Sequence, residues 1–412
     1  MRRVLLVSYY FPPVAGSGVF RPLRLARYLP DAGWEVTVLG VGSKARLLRD
    51  EALLREVPAR TRVERTASLE PRTLLLALNR VGLRSLSRRV EPWFRIPDDQ
   101  RGWVPFAVRR AMRALRERPH DAILTTSGPT SAHLVGLALE RRLQVPWVAD
   151  FRDEWTTNPY VRYPTAWHRR LNERMERAVL SESDRVVCVS APWLDNLRSR
   201  TPGAPPEKFR VLPNGYDAAH FDGFPGERPD CFRVVYTGTF YGHRSPRVFL
   251  EAVARVVAEN RIPARDLDVV LVGHTAGAAG LGAPAAKGIR VLEQRPFHET
   301  LDHLRSAAVL LVVIPAEGGA GNHTGKLFNY LAAGRPILAL APVPNVAVDL
   351  ILESRSGVVA PPDDPAAVAE ALVELYRRFK ARVPFDQDRA VVERYEARPQ
   401  AAAYARLLEE VV

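Results

Sequence analysis

Apolar residues fall along this chain in short β-branched runs, and between the runs lie stretches with helical spacing. A first series comprises residues 2–10 (RRVLLVSYY), 34–40 (WEVTVLG), 121–128 (DAILTTSG), 145–151 (VPWVADF) and 184–190 (DRVVCVS). A second comprises 232–240 (FRVVYTGTF), 266–273 (DLDVVLVG), 288–293 (GIRVLE), 307–314 (AAVLLVVI) and 335–340 (RPILAL). Residues 212–230, between the series, are rich in Gly, Pro and Asp, a composition that suits a linker. Residues 276–288 read as a loop. Two strand–helix–strand series joined by a linker predict an α/β chain of two doubly wound parallel-sheet domains. Ligands of such sheets bind at the carboxyl ends of the strands, and two facing domains would leave a cleft for a substrate.

Composition narrows the class. The chain is 47% hydrophobic and 25% charged, which suits a buried core and excludes a disordered or fibrous protein. Cys188 and Cys231 lie 43 positions apart and neither belongs to a CxxC pair. Neither a disulfide scaffold nor a zinc ribbon is expected, and a reducing cytosol suits this usage. The longest strongly apolar run, 307–316, is about half a membrane span, so a cytoplasmic protein without a transmembrane helix is expected.

The net charge of +13 is uneven: residues 1–215 hold 37 basic and 22 acidic residues, against 22 and 24 in 216–412. Within 72–118, 12 arginines accompany four acids. Arg80, Arg84 and Arg88 recur every four residues and would share one face of a helix over 72–90, with Leu74, Leu75, Leu76, Leu78, Leu83 and Leu86 as apolar partners. An anionic membrane surface fits this stretch, and so does a plain solvated helix. Nucleic acid fits least, because no helix-turn-helix, zinc-finger or RNP signature accompanies the charge.

Four segments carry candidate chemistry. In residues 9–21 (YYFPPVAGSGVFR) a strand runs into a turn holding Gly16, Ser17 and Gly18, followed by a helix start. Glycines admit a close ligand, and free amides there attract anionic or sugar oxygens, although an ordinary βα turn looks the same. Residues 125–136 and 146–155 follow two further strands, and would bring Ser127, His133, Asp150, Arg152 and Asp153 to the same sheet edge. Asp150 and Asp153 could form a charge-assisted network with Arg152. His133 reads either as a hydrogen-bonding or proton-handling group or as a packed helix-start histidine. The two carboxylates have no third ligand in view, so no metal site is expected.

In residues 234–246 (VVYTGTFYGHRSP) a strand ends in Gly238 and Thr239, and Arg244 precedes a helix whose N-terminus would help it meet phosphate. Residues 322–340 (NHTGKLFNYLAAGRPILAL) are the sharpest segment: Thr324 and Gly325 precede a helix beginning near Lys326, and Gly334 ends it. Lys326 and the first free amides can meet a diphosphate. Asn329, three residues on, projects to the same side, where a ribose could lie.

Together, in this order, these segments resemble the retaining glycosyltransferases of family 4, the group 1 glycosyltransferases, whose fold is GT-B. The resemblance runs the length of the chain, through a YYFPP opening, PWVADFRD, VLPNGYD, YTGTFY with RSP, and GKLF with YLAAGRPILA. It implies an acceptor-side Rossmann-like domain over 1–215 and a nucleotide-sugar-binding domain over 216–390, with a last helix, about 391–411, crossing back onto the first domain. It implies a nucleoside-diphosphate sugar as donor and no essential metal or other cofactor.

By position, Arg244 and Lys326 would meet the diphosphate, with Gly238 and Thr239 beside them. Thr324 and Gly325 would offer amides, Asn329 would face the ribose, and Gly16 and Gly18 would flank the donor phosphate from the other wall. Ser127, His133, Arg152 and Asp153 would line the sugar and acceptor side, with His133 and Asp153 joining Arg244 and Lys326 as catalytic candidates.

The chain departs from the family at a pair of donor-site glutamates spaced eight residues apart. The second position holds Asn329 and the first Gly321, with Glu317 near but out of register. The resulting expectation is a cytoplasmic, retaining, metal-independent glycosyltransferase, peripheral at the inner face of the membrane, acting on a lipid-linked or cell-envelope glycan. The alternatives are a GT-B epimerase or hydrolase acting on the nucleotide-sugar alone, and a sugar-nucleotide-binding protein impaired in catalysis.

Overall fold

The computed structural model describes residues 1–42, 47–70, 79–240, 244–273, 288–316 and 319–412. Leu74, Leu75, Leu76 and Leu78, nearly all of the expected loop 276–288, and Glu317 lie outside the described residues. The chain divides into two compact units, residues 1–213 with 397–412, and residues 214–396.

The first unit is built on a parallel sheet of β1 (Arg2–Val7), β2 (Trp34–Val41), β3 (Arg62–Thr66), β4 (Ala122–Thr126), β5 (Trp147–Phe151), β6 (Arg185–Cys188) and β7 (Phe209–Val211), in the order β3-β2-β1-β4-β5-β6-β7. Its helices are α1 (Phe20–Tyr28), α2 (Arg84–Phe94), α3 (Val104–Glu117), α4 (Ser131–Leu143), α5 (Ala166–Glu182) and α6 (Ala191–Arg198). Val4, Leu5, Leu6 and Val7 are all fully buried, because helices cover both faces of a parallel sheet and its central strands have no wet side. The strand order reverses between β1 and β4, so the loops after these two strands flank the switch point where doubly wound sheets bind ligands.

The second unit repeats the plan. Its parallel sheet holds β8 (Phe232–Thr237), β9 (Leu267–Val272), β10 (Ile289–Leu292), β11 (Val309–Val313), β12 (Ile337–Leu340) and β13 (Gly357–Ala360), in the order β10-β9-β8-β11-β12-β13. Its helices are α7 (Arg247–Ala258), α8 (Phe297–Arg305), α9 (Gly325–Ala333), α10 (Val346–Glu353), α11 (Pro365–Lys380) and α12 (Arg389–Glu393). Here the switch point lies between β8 and β11. The two doubly wound parallel sheets are the α/β class that the hydrophobic pattern predicts.

Three local expectations change. Arg80, Arg84 and Arg88 do not share one helix: a turn at residues 81–82, with Gly82 at φ 83°, separates Arg80 from α2. Residues 212–230 are not a bare linker, because Tyr216 and Phe221 are buried in the second unit's core. The Tyr216 amide there donates to the Tyr395 carbonyl at 3.0 Å. The helix expected over 391–411 is broken: α12 ends at Glu393, and α13 (Ala397–Glu409) begins after a turn. Only α13 joins the first unit, where Tyr404, Leu407 and Leu408 pack with Leu23 and Leu25 of α1.

Candidate functional site

In the first unit, the loops at the carboxyl ends of β1, β4 and β5 are tied together by Arg152. Its backbone amide donates to Ser127 Oγ at 2.9 Å. Its guanidinium donates to the Gly18 carbonyl at 2.8 Å, to the Gly128 carbonyl at 3.1 Å, and to the Ser127 carbonyl. Arg152 therefore fixes the relative placement of the Gly16–Gly18 turn and the Ser127 loop. Gly16 adopts φ 110°, a conformation that side chains rarely allow, and is exposed at the start of the short helical turn before α1. Asp153 is exposed beside Arg152.

The expected Asp150–Arg152–Asp153 network does not form as a unit. Asp150, fully buried, instead makes a two-pronged ion pair with Arg21 of α1, at 2.9 Å (Nε–Oδ2) and 2.8 Å (Nη2–Oδ1), and accepts from Thr126 Oγ1 at 2.7 Å. Arg21 also donates to the carbonyls of Pro213 and Leu212, both at 2.8 Å, and to the Tyr404 hydroxyl. This buried hub joins α1, β4, β5, the end of the strand series and α13. Arg21 is not among the expected site residues, although it closes the 9–21 segment, YYFPPVAGSGVFR, that opens the resemblance.

His133, in the first turn of α4, is fully buried against Phe151, with ring centroids 4.3 Å apart. Its Nδ1 lies 2.8 Å from Thr125 Oγ1, and that oxygen accepts from Trp147 Nε1 at 2.9 Å. With one lone pair so occupied, the Thr125 hydroxyl can give its proton to Nδ1, which leaves the imidazole proton on Nε2. Nε2 has no partner among the described residues. Burial, reinforced by the Arg152 charge and opposed by Asp150, pushes the His133 pKa down to about 3. The ring is a neutral hydrogen-bonding group at ordinary pH, and the proton-carrying role anticipated for it loses its charged form.

The second unit collects Gly238, Thr239, Arg244, Thr324, Gly325 and Lys326 at the carboxyl end of its sheet. The Thr237 amide at the end of β8 donates to the Tyr330 hydroxyl at 2.8 Å, which docks α9 against that strand. Lys326 Nζ is buried without a hydrogen-bond partner among the described residues, and lies 3.7 Å from the ring centroid of Tyr236. Tyr236 in turn stacks on Phe240 with centroids 4.1 Å apart. Gly238, at φ 125°, leaves room for the ammonium, since a Cβ there would lie 2.6 Å from Nζ. Burial, and then the nearby charge of Arg244, lower the Lys326 pKa well below the usual lysine range.

Thr324 occupies the N-cap of α9 and its side chain makes no cap hydrogen bond; the Leu327 amide donates to the Thr324 carbonyl at 3.0 Å, which leaves the amides of Gly325 and Lys326 as the first-turn donors without a side-chain cap. Two cationic side chains beside first-turn amides without a side-chain cap are an arrangement that can attract a polyanion. Asn329, one turn along α9 from Lys326, is part-exposed. Gly321 is buried, in a loop held by Asn345 Nδ2 donating to the Gly319 carbonyl at 3.1 Å. Among the described residues, no group of three or more His, Cys, Asp or Glu could hold a metal ion, and no helix is long and apolar enough to cross a membrane.

Comparison with known proteins bears on the family and the fold. Residues 22–220 match the model of Glycosyltransferase Family 4, and residues 231–378 match that of Glycosyl transferases group 1. A D-inositol 3-phosphate glycosyltransferase of Geodermatophilus obscurus is 28% identical over 218 residues, which are 48% of this chain and 46% of the relative. The chain spans about half the length of the curated relatives it matches. Among solved structures, the sucrose-phosphate synthase of Thermosynechococcus elongatus superposes with a TM-score of 0.66 at 16% identity, covering 100% of this chain and 99% of that one. HepE of Anabaena, solved in complex with UDP-glucose, gives 0.66 at 13% identity and covers 100% of both chains. At such identities the two structures speak for the fold.

Proposed function

The chain belongs to the family 4, group 1 glycosyltransferases, and we propose that it moves a sugar from a nucleoside-diphosphate sugar to an acceptor, with retention at the anomeric carbon and without a divalent metal. The observation that carries this reading is the Lys326 ammonium, buried, without a hydrogen-bond partner among the described residues, and set near a second cation, Arg244, at a helix N-terminus that lacks a side-chain cap. A diphosphate neutralises that cluster. HepE, of the same fold, was solved with UDP-glucose, which supports a nucleotide-sugar as the donor class.

Catalysis would then be largely electrostatic. As the glycosidic C–O bond breaks, negative charge grows on the departing diphosphate, and Arg244, Lys326 and the amides of Gly325 and Lys326 would stabilise it. The acceptor hydroxyl would attack from the face the diphosphate leaves, passing its proton to a released phosphate oxygen. No protein nucleophile is assigned. His133 would act as a neutral hydrogen-bond donor to the sugar through Nε2 rather than as an acid or base. Ser127 and Asp153, on the loops fixed by Arg152, would face the acceptor side. The basic first unit supports an acceptor carried on a membrane, such as a lipid-linked or cell-envelope glycan, with the enzyme peripheral on the cytoplasmic side.

A second reading, a nucleotide-sugar-binding protein impaired in turnover, draws on Asn329, an amide where the resemblance leads one to expect a carboxylate. Thermal-shift titration with a panel of nucleoside diphosphates and nucleotide-sugars, with and without magnesium, tests the first step. Selective, metal-independent stabilisation by one donor supports the transferase, and absence of any shift from the folded protein rejects it. Donor turnover with a glycan acceptor then separates the two readings, and rapid turnover of donor alone would mark an epimerase or hydrolase.

A further inference from the structure

Helix α2 carries an apolar stripe that faces solvent. Leu83, at its N-cap, followed by Leu86, Val90 and Trp93, stand at the spacing that places residues on one helix face. On a helix docked into a core these positions would be covered. Here Leu83 is 45% exposed, Leu86 44% and Trp93 55%, while the polar Ser87 is the residue turned inward, at 3%. The stripe does not end with the helix. Trp93 packs edge-on against His168, with centroids 4.8 Å apart, and Trp167, 60% exposed, packs on the same imidazole at 5.0 Å. His168 is fully buried, and its Nδ1 lies 2.8 Å from the α5 N-cap residue Thr165. Two indoles from separate helices are thus seated on one buried anchor with more than half of each side chain in water.

The charges around this surface select its partner. Arg80, Arg84 and Arg89 flank the stripe, and Arg162 and Arg170 flank Trp167, all exposed. The acids on the same two helices are engaged: Glu91 pairs with Arg95 at 2.6 Å, and Glu173 with Arg169 at 3.0 Å. Apolar residues and indoles ringed by arginine suit the interface of an anionic bilayer, where the apolar groups enter the acyl boundary and the arginines meet lipid phosphates. Nucleic acid would leave the leucines uncovered. We propose that the α2 stripe, extended by Trp167, is the surface by which this protein docks on an anionic membrane.

The dock is tied to the loops described above. Asp98, in the loop just after α2, accepts from the Ser131 amide at 2.8 Å, from Ser131 Oγ at 2.6 Å and from Thr130 Oγ1 at 2.7 Å. It thereby holds the start of α4, one short loop beyond Ser127. A bilayer bound through α2 lies next to the segment assigned to the acceptor side, so the assignment of purpose rests on the proposed function while the binding itself does not.

Flotation of the full chain with vesicles, without donor or acceptor, tests the binding. The expected result is partitioning onto phosphatidylcholine–phosphatidylglycerol vesicles with a blue shift of tryptophan emission, and far less onto phosphatidylcholine alone. Arg84→Glu with Arg89→Glu should weaken the anionic preference about tenfold or more. Leu83→Ser with Leu86→Ser, which spares the indole contacts with His168, should weaken binding to a similar degree and suppress the blue shift. Each variant is compared at equal thermal transition and equal nucleoside-diphosphate affinity, a property of the other unit. Failure of the folded wild-type chain to float overturns the proposal, as does wild-type flotation by both double variants. Capture of a protein partner on the stripe in place of vesicles also overturns it. Any of these results leaves glycosyl transfer, measured separately, intact.

Discussion

The Lys326 ammonium lies 3.7 Å from the centroid of the Tyr236 ring, and Tyr236 is itself stacked on Phe240. No carboxylate among the described residues pairs with this lysine, and the ring face is a favourable electrostatic contact that positions it. Cation–π contacts contribute about 0.5–2 kcal/mol, depending on how far they are desolvated. Tyr236→Leu should therefore weaken nucleoside-diphosphate binding by roughly 2- to 30-fold, while Tyr236→Phe, which keeps the ring, should bind nearly as wild type. Isothermal titration distinguishes them, and equal losses in both variants would contradict the role given to the ring.

Removing the charge should cost more. Lys326→Met deletes a charge-assisted contact of about 1.5–3 kcal/mol, a loss of roughly 10- to 150-fold in affinity. Gly238→Ala should have a comparable effect from the other direction, since its Cβ would lie 2.6 Å from Nζ at a backbone φ of 125°. Both are read by the same titration, with circular dichroism confirming the fold.

Binding should also take up protons. The free Lys326 pKa is lowered by burial and by Arg244, and a bound diphosphate raises it again. Between the free and bound values the complex holds a proton that the free protein lacks, so affinity declines as pH rises through that window. Calorimetry in buffers of different ionisation enthalpy should show net uptake in wild type and less in Lys326→Met.

The Arg21–Asp150 pair is expected to govern the stability of the first unit. Asp150→Ala would leave Arg21 buried beside carbonyls and a tyrosine without its countercharge. Breaking a buried pair in this way costs about 3–5 kcal/mol. Limited proteolysis should show cleavage within residues 1–213 well before 214–396, and uniform loss of both units would argue against the assignment.

His133 supplies a pH dependence of opposite origin. Its folded pKa of about 3 lies below the unfolded value near 6.5, so the unfolded chain binds the proton first on acidification. The stability it permits is fully present above pH 6.5 and is lost progressively as pH falls toward 3, at no more than about 1.4 kcal/mol per unit. Denaturant titrations over this range should fall less steeply for His133→Gln. The activity profile near neutrality should contain no inflection from this residue.

Central strands were legible because they are buried on both faces and must be apolar: β1, β5, β8 and β11 announce themselves in the sequence. The unread strands, β3, β7 and β13, all lie at sheet edges. RVERT of β3 holds a single apolar residue among three charged ones and a threonine, and its Glu64 is committed to Arg62 and Arg110, so the segment looks like surface until its neighbours are known. The second-unit cluster was readable as a compact motif, since Thr324 to Asn329 are consecutive on one helix start. The Arg21–Asp150 pair was not, because its partners are 129 positions apart and Asp150 has a closer arginine in sequence. The inward placement of His133 was likewise invisible, being set by Thr125 and Phe151 on two different strands.

The return of α13 to the first unit has a consequence for the order of synthesis. Residues 1–213 leave the ribosome before 214–396, yet they are completed by 397–412, which emerge after both. Until then Arg21 lacks the Tyr404 hydroxyl, and the Leu23 and Leu25 face lacks Leu408. Of the two units, the one synthesised earlier is therefore finished later, after the second unit has had time to close. A stop codon just beyond residue 396 would spare the unit beside it and injure the one whose other residues lie far upstream.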